Sequence, residues 1–305
     1  MSIFGEYTDK YPFFGLIFSL ILFMGVYQIG NLITRYKTLD KTFSSISDTE
    51  FLKHSFGVVF LIIVLNPILL FFNYSKEIFL ITSLTIFLLG IYSILNLSKN
   101  SFFFKDLTKI NFRNFHHDQY VIIYILIAML LISLSPNTNA DSLDYHLSTA
   151  KYIAKYGEFP LNIFHFHERL SGAGEIISAI GIVMGADSFG TLIQCSGLLI
   201  LYGIFKKISQ NNNPDQLIYF LLLLTTPVIF FFISTDKPQL FYICLLTIVF
   251  AFLFFDKTRN IKTENIKLII SLIIILVSFI SKYSFILTSF CFLILLFFKH
   301  IKLKN

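Results

Sequence analysis

The sequence predicts an all-α, polytopic transmembrane helical bundle of about nine crossings, with external juxtamembrane helices. Three observations predict it. Hydrophobic residues make up 55% of the chain against 14% charged, and mean hydropathy is +0.75, far from soluble-domain composition. Apolar runs long enough to cross ~30 Å of hydrocarbon recur along the whole length. They lack the strict alternation of a membrane barrel, so helices must satisfy the backbone.

Crossings are expected near 12–33, 55–73, 78–97, 119–135, 188–205, 216–234, 239–255, 266–281 and 284–298. Glu6, Asp9 and Lys10 precede the first, which has neither a basic leader nor a small-residue cleavage site and so is not expected to be a cleavable signal peptide. Asn66–Pro67 and Thr225-Thr226-Pro227 fall inside crossings, where proline gives a tolerated kink. Only Ser281, Lys282 and Tyr283 separate the last two crossings. Gly174–Gly185, at 12 residues, is too short to span and suits a re-entrant or juxtamembrane helix. The chain divides into N-terminal membrane helices (1–118), a core with external loop 136–187 (119–256), and C-terminal helices with a basic tail (257–305).

The net charge of +6 does not indicate nucleic acid, because most of the 24 basic residues sit in alternate loops. Arg35, Lys37, Lys41 and Lys53 share one loop; Lys99, Lys105, Lys109 and Arg113 another; Lys206 and Lys207, Lys257 to Lys267, and Lys299 to Lys304 follow. With nine crossings these loops fall on one face, and the positive-inside rule makes it cytoplasmic. The N-terminus and loop 136–172 then face outward, the C-terminus lies in the cytoplasm, and an inner (plasma) membrane location follows. Cys195, Cys244 and Cys291 lie in apolar runs without metal or redox spacing and read as small buried hydrophobes.

Loop 136–172 concentrates Asp141, Asp144, His146, Glu158, His165, His167, Glu168 and Arg169. From Asp141 to Tyr156, Leu143, Leu147, Ala150 and Ala154 repeat at helical spacing, with Asp144, Ser148, Lys151 and Lys155 on another face. This is an amphipathic interfacial helix, ended by Gly157 and followed by Pro160. Asp141 at its start is placed to cap it, and a carboxylate held there is also kept ionised, as a base must be. His165-Phe166-His167-Glu168 has metal-ligand composition but only two histidines at i, i+2, so no metal site is defined. No cofactor is called for; a divalent metal is compatible with the loop but not indicated.

The run Asn139-Ala140-Asp141-Ser142-Leu143-Asp144-Tyr145-His146-Leu147 resembles the Asp-x-Leu-x-Tyr-His-Leu signature of bacterial GT-C glycosyltransferase-like proteins, the superfamily of protein O-mannosyltransferases and lipid A aminoarabinose transferases. Gly157-Glu158-Phe159-Pro160 is similar to the continuation after the first juxtamembrane helix. Glu168-Arg169, followed by an apolar helix and Gly185-Ala186-Asp187-Ser188-Phe189, resembles the acidic–basic pair of the aminoarabinose-transferase branch, whose basic residue contacts the donor phosphate. Asp236-Lys237-Pro238 is similar to a second external acidic loop. The resemblance covers about 120–255; Arg169 stands where relatives often have Lys, Ala140 where they often have Trp, and the relatives are usually much longer.

The resemblance implies a transferase moving a sugar from a polyprenyl-phosphate donor to an external acceptor with inversion. Asp141 is then the base that deprotonates the acceptor, with Asp144 in reserve. Arg169 contacts the departing phosphate beside Glu168, with Lys237 in support. His146 orients Asp141, binds acceptor, or packs locally; Asp236 and Lys237 either serve the site or merely mark the interface. Membrane lipids and the lipid-linked sugar are the expected partners, with a partner membrane subunit and no nucleic acid. The alternatives are a non-catalytic assembly subunit and a lipid flippase or transporter. Coupled carriers place ionisable groups inside their crossings, whereas the polar intruders here are Gln28, Asn66 and Gln194.

Overall fold

A computed structural model describes residues 3–4, 8, 10–72, 75–99, 117–136, 139–140, 142–160, 171–211, 216–255 and 261–304. Among these the regular structure is helical throughout: α1 (Pro12–Thr34), α2 (Lys37–Phe43), α3 (Lys53–Phe71), α4 (Ser75–Lys99), α5 (His117–Ser133), α6 (Leu147–Tyr156), α7 (Glu175–Met184), α8 (Phe189–Asn211), α9 (Gln216–Leu224), α10 (Pro227–Ile233), α11 (Leu240–Phe254), α12 (Ile261–Ser281) and α13 (Ile286–Lys304). Among the described residues, six helical stretches are long and apolar enough to cross a membrane: Pro12–Thr34, Thr49–Phe71, Ser75–Asn96, Phe189–Ser209, Thr263–Ser281 and Tyr283–Ile301. Of the nine crossings expected, those near 119–135, 216–234 and 239–255 are shorter here.

The expectation of a kinked crossing at 216–234 is corrected. The chain stops being helical at Thr225–Thr226 and restarts at Pro227, giving helices of 9 and 7 residues. Thr226 is extended (φ −71°, ψ 134°) because the following proline ring disfavours the helical region. Pro67, by contrast, stays inside the continuous α3.

Two packing units carry the bundle. In the first, α1 lies against α3 and α4 at backbone contact distance. A Cβ on Gly25 would collide with the Ile86 carbonyl, and one on Gly57 with the Val26 carbonyl. Small residues allow this approach where the bilayer supplies no hydrophobic drive between helices. In the second, α8 packs on α11, and α11 on α12. The Gln194 side chain accepts the Phe241 amide proton at 3.0 Å, supplying a partner to the first turn of α11.

Helix α7 lies between the two units, touching α1, α3, α4, α6 and α8. Every residue of it except Ile182 is buried, so the short run Gly174–Gly185 is a non-spanning helix enclosed by protein. Gly185 ends it with φ 73°, and Gly157 ends α6 in the same left-handed conformation, against the Lys76 backbone. Cys195 and Cys244 are buried, but Cys291 is exposed on α13, which corrects its expected burial.

The connections gather at two ends. At one end Lys206 pairs with Asp48 at 2.9 Å, and Glu264 pairs with Lys267 at 2.7 Å and Lys299 at 3.9 Å. At the other the 157, 172–174, 236–238 and 280–282 segments meet Lys76, Ser142 and one another. Gly57→Leu should force α1 and α3 apart and cost about 1–3 kcal/mol or more. Thermal unfolding followed by helical circular dichroism in detergent should show a clearly lower Tm, whereas Leu at exposed Ile63 should leave it unchanged.

Candidate functional site

The chain enters the second end at Asn139. Asn139 caps the helical turn at Ser142, its side-chain carbonyl accepting the Ser142 amide proton at 3.3 Å while its backbone carbonyl accepts that of Leu143 at 3.0 Å. The described cap is therefore Asn139, two residues ahead of the expected one, and Asp141 itself lies outside the described residues. Ser142–His146 form a π-helical turn before α6 begins at Leu147. The extra residue in that turn shifts the helical phase. Ser142, Tyr145 and His146 face inward, and Leu143, expected on the apolar stripe, is 53% exposed. Ala150 and Ala154 keep their expected buried places, and Asp144 is exposed.

His146 is buried and its Nδ1 lies 2.6 Å from Glu175 Oε1. Glu175 opens α7, where the helix N-terminus favours a carboxylate, and its Oε2 accepts the Gly172 amide proton at 2.9 Å. With the Nδ1 proton directed at the carboxylate, His146 Nε2 is left to accept from Lys282, whose Nζ is 3.3 Å away. Lys282 is buried in the break between α12 and α13, where the chain is extended. The segment from Gly172 reaches the same break: the amides of Ala173 and Gly174 donate to the carbonyls of Ile280 (3.0 Å) and Ser281 (3.2 Å). Burial holds His146 below its usual 6.5, Glu175 opposes the shift, and Lys282 and Lys237 add to it.

Asp236 and Lys237 sit beside this network in the connection from α10 to α11, both buried. The Asp236 amide donates to Ser142 Oγ at 3.2 Å, and Ser178 Oγ on α7 donates to Asp236 Oδ1 at 2.9 Å. Asp236 Oδ2 has no partner among the described residues. Burial pushes the Asp236 carboxyl up to about 8; the Ser178 hydrogen bond works against this, and Glu175 and Asp187 add to it. Gly190 leaves the space Oδ1 occupies, since a Cβ there would overlap it. Lys237 Nζ lies 4.9 Å over the Phe231 ring.

Of the residues singled out from sequence, His146, Asp236 and Lys237 thus come together, Asp144 points away from them, and Asp141, Glu168 and Arg169 lie outside the described residues, as do His165 and His167. Glu175 and Lys282 are the partners that sequence reasoning missed. Their signal was isolation, each being a lone charge beside long apolar runs.

These features define an all-helical protein of multi-pass membrane type with a buried polar junction at one end. Within that class, the chain belongs to the DUF1420 N-terminal domain family, whose model matches residues 95–303, including the whole junction. No curated protein and no solved structure matches it.

The raised Asp236 carboxyl makes stability depend on pH. Between its ordinary value of 3.8 and about 8, the folded state holds a proton that the unfolded state has released. Its contribution is therefore full below the lower value and is lost as pH rises through the window, with a slope approaching ~1.4 kcal/mol per pH unit. His146 works the other way, losing stability as pH falls below 6.5. Asp236→Asn, which resembles the protonated acid, should flatten the decline in Tm between pH 6 and 8.

Proposed function

We propose that this chain is a membrane glycosyltransferase of GT-C type, moving a sugar from a polyprenyl-phosphate donor to an acceptor on the external face. One observation carries the reading: four segments far apart in sequence bring a carboxylate–imidazole pair, a second carboxyl and two lysines to one end of an apolar bundle. It is the end reached by the loop whose residues resemble the GT-C signature.

In this reading Asp141 accepts the acceptor hydroxyl proton as the acceptor oxygen forms its bond to the anomeric carbon. The bond from that carbon to the phosphate oxygen breaks with its electron pair, leaving polyprenyl phosphate and an inverted product. Arg169 and Lys237 supply cations to the departing phosphate, with Glu168 beside Arg169. Asp144 is the reserve base. The orientation that goes with it has nine crossings, with the N-terminus and this junction outside and the C-terminus in the cytoplasm of an inner-membrane protein. It is supported by the grouping of the basic-loop residues Lys206, Lys267 and Lys299 at the opposite end from the junction.

Purified protein in nanodiscs, given a panel of polyprenyl-phosphate sugars, should transfer sugar. Asp141→Asn should lower the rate by about 10²–10⁴-fold, the range of a lost general base. Wild-type rates in that variant would remove Asp141 as the base. A topology reporter at Asn162 should read external; a cytoplasmic signal would overturn the orientation.

A further inference from the structure

We propose that the groove between α11 and α13 is a binding site for an uncharged glycerolipid of the diacylglycerol type. The inference goes beyond the transferase reading and does not depend on it.

Elsewhere on the bundle, hydroxyls on apolar helices are returned to their own backbone. Thr82 donates to the Ile78 carbonyl and Thr85 to that of Ile81, each at 2.8 Å. Such back-bonding spares a polar group from facing hydrocarbon unpaired. Three side chains on the walls of this groove depart from that pattern. The Gln239 carboxamide and the Ser284 and Thr288 hydroxyls have no hydrogen-bond partner among the described residues. Gln239 is half-buried, Ser284 and Thr288 are exposed, and all three share the groove with Phe232, Ile243 and Phe285. Unpaired polar groups in apolar surroundings are costly, so these call for a ligand that forms hydrogen bonds.

The groove encloses about 510 Å³, and its polarity has a direction. The Gln239 amide donates to the Lys237 carbonyl at 2.7 Å, and the Phe285 amide to the Lys282 carbonyl at 3.0 Å. Helices α11 and α13 therefore leave the same polar end of the molecule side by side. All three unpartnered groups lie toward that end, whereas Phe250 and Phe292 line the far one. Thr247, deeper along α11, already donates to the Cys244 carbonyl.

Length and charge narrow the occupant. From Gln239 to Phe250 the helix advances roughly 16 Å, about half of the ~30 Å hydrocarbon. A groove polar at the interface and apolar through one leaflet matches a lipid of that leaflet, whereas a partner's spanning helix would run past it. None of the described residues lining it is ionisable, so a headgroup phosphate there would be desolvated without a counter-charge. A carboxamide and two hydroxyls suit instead the ester carbonyls and free hydroxyl of a diacylglycerol.

The test is direct binding by the full chain in detergent, with dioleoylglycerol, dioleoylphosphatidic acid and hexadecane as probes. Wild type should bind the diacylglycerol more tightly than the phosphatidic acid. Thr288→Val should weaken the diacylglycerol roughly 3–10-fold, the worth of one neutral hydrogen bond, and leave hexadecane unchanged. Combining it with Gln239→Leu and Ser284→Ala should deepen the loss. Thr288→Ser, which keeps the hydroxyl, should bind like wild type, and so should Thr247→Val, whose hydroxyl is already paired.

Unchanged diacylglycerol binding by the folded triple variant would overturn the proposal. Equal or tighter binding of phosphatidic acid would overturn it by assigning the groove to a charged lipid. Disulfide-linked dimers of Thr288→Cys in a Cys291→Ser background would overturn it by seating a second copy of the chain there.

Discussion

A carboxylate at 1% exposure cannot stand unpartnered, and the Glu175 carboxylate sets the layout of this end of the molecule. One oxygen takes the Gly172 amide, which folds the approach to α7 back on itself. The other takes the His146 ring, which fixes the face that the π-helical turn presents. Through that ring the constraint reaches Lys282 and the break between the last two helices. Removing Glu175 would leave the buried His146 ring without its partner carboxylate.

The same constraint explains why the polar groups lie where they do. The long apolar helices satisfy their own backbones. Breaks in helical structure expose amides and carbonyls, and these are the places where ionisable side chains collect: Ser142–His146, Gly172–Glu175, Thr235–Lys237 and Ser281–Lys282. Helix α7 connects them because its first residue holds His146 and its fourth, Ser178, holds Asp236. A non-spanning helix enclosed by neighbours can donate and accept at its N-terminus without facing lipid.

Much of the helical layout was legible in the sequence, since uninterrupted apolar runs and a lone short run between glycines are local signals. The glycine that ends α6, Gly157, was equally local. The break at Thr225–Pro227 was misread as a kink, because proline permits both and the choice depends on packing. The π-helical turn was illegible for a related reason: ordinary helical spacing put Leu143 inward, and the preference for Ser142, Tyr145 and His146 comes from partners elsewhere in the chain. For the site, one loop and the Asp-Lys-Pro turn stood out by density of charge. Glu175 and Lys282 did not, because a single charge beside an apolar run carries no motif until folding shows what it faces.

The central claim is that Glu175, His146 and Lys282 form one electrostatic unit across distant segments. A double-mutant cycle on unfolding, with Glu175→Gln, Lys282→Gln and the pair, measures it most directly. Coupling through the shared imidazole predicts an interaction above about 1 kcal/mol, with the double variant less destabilised than the sum of the singles. Additivity within ~0.3–0.5 kcal/mol, the behaviour of independent sites, would contradict it.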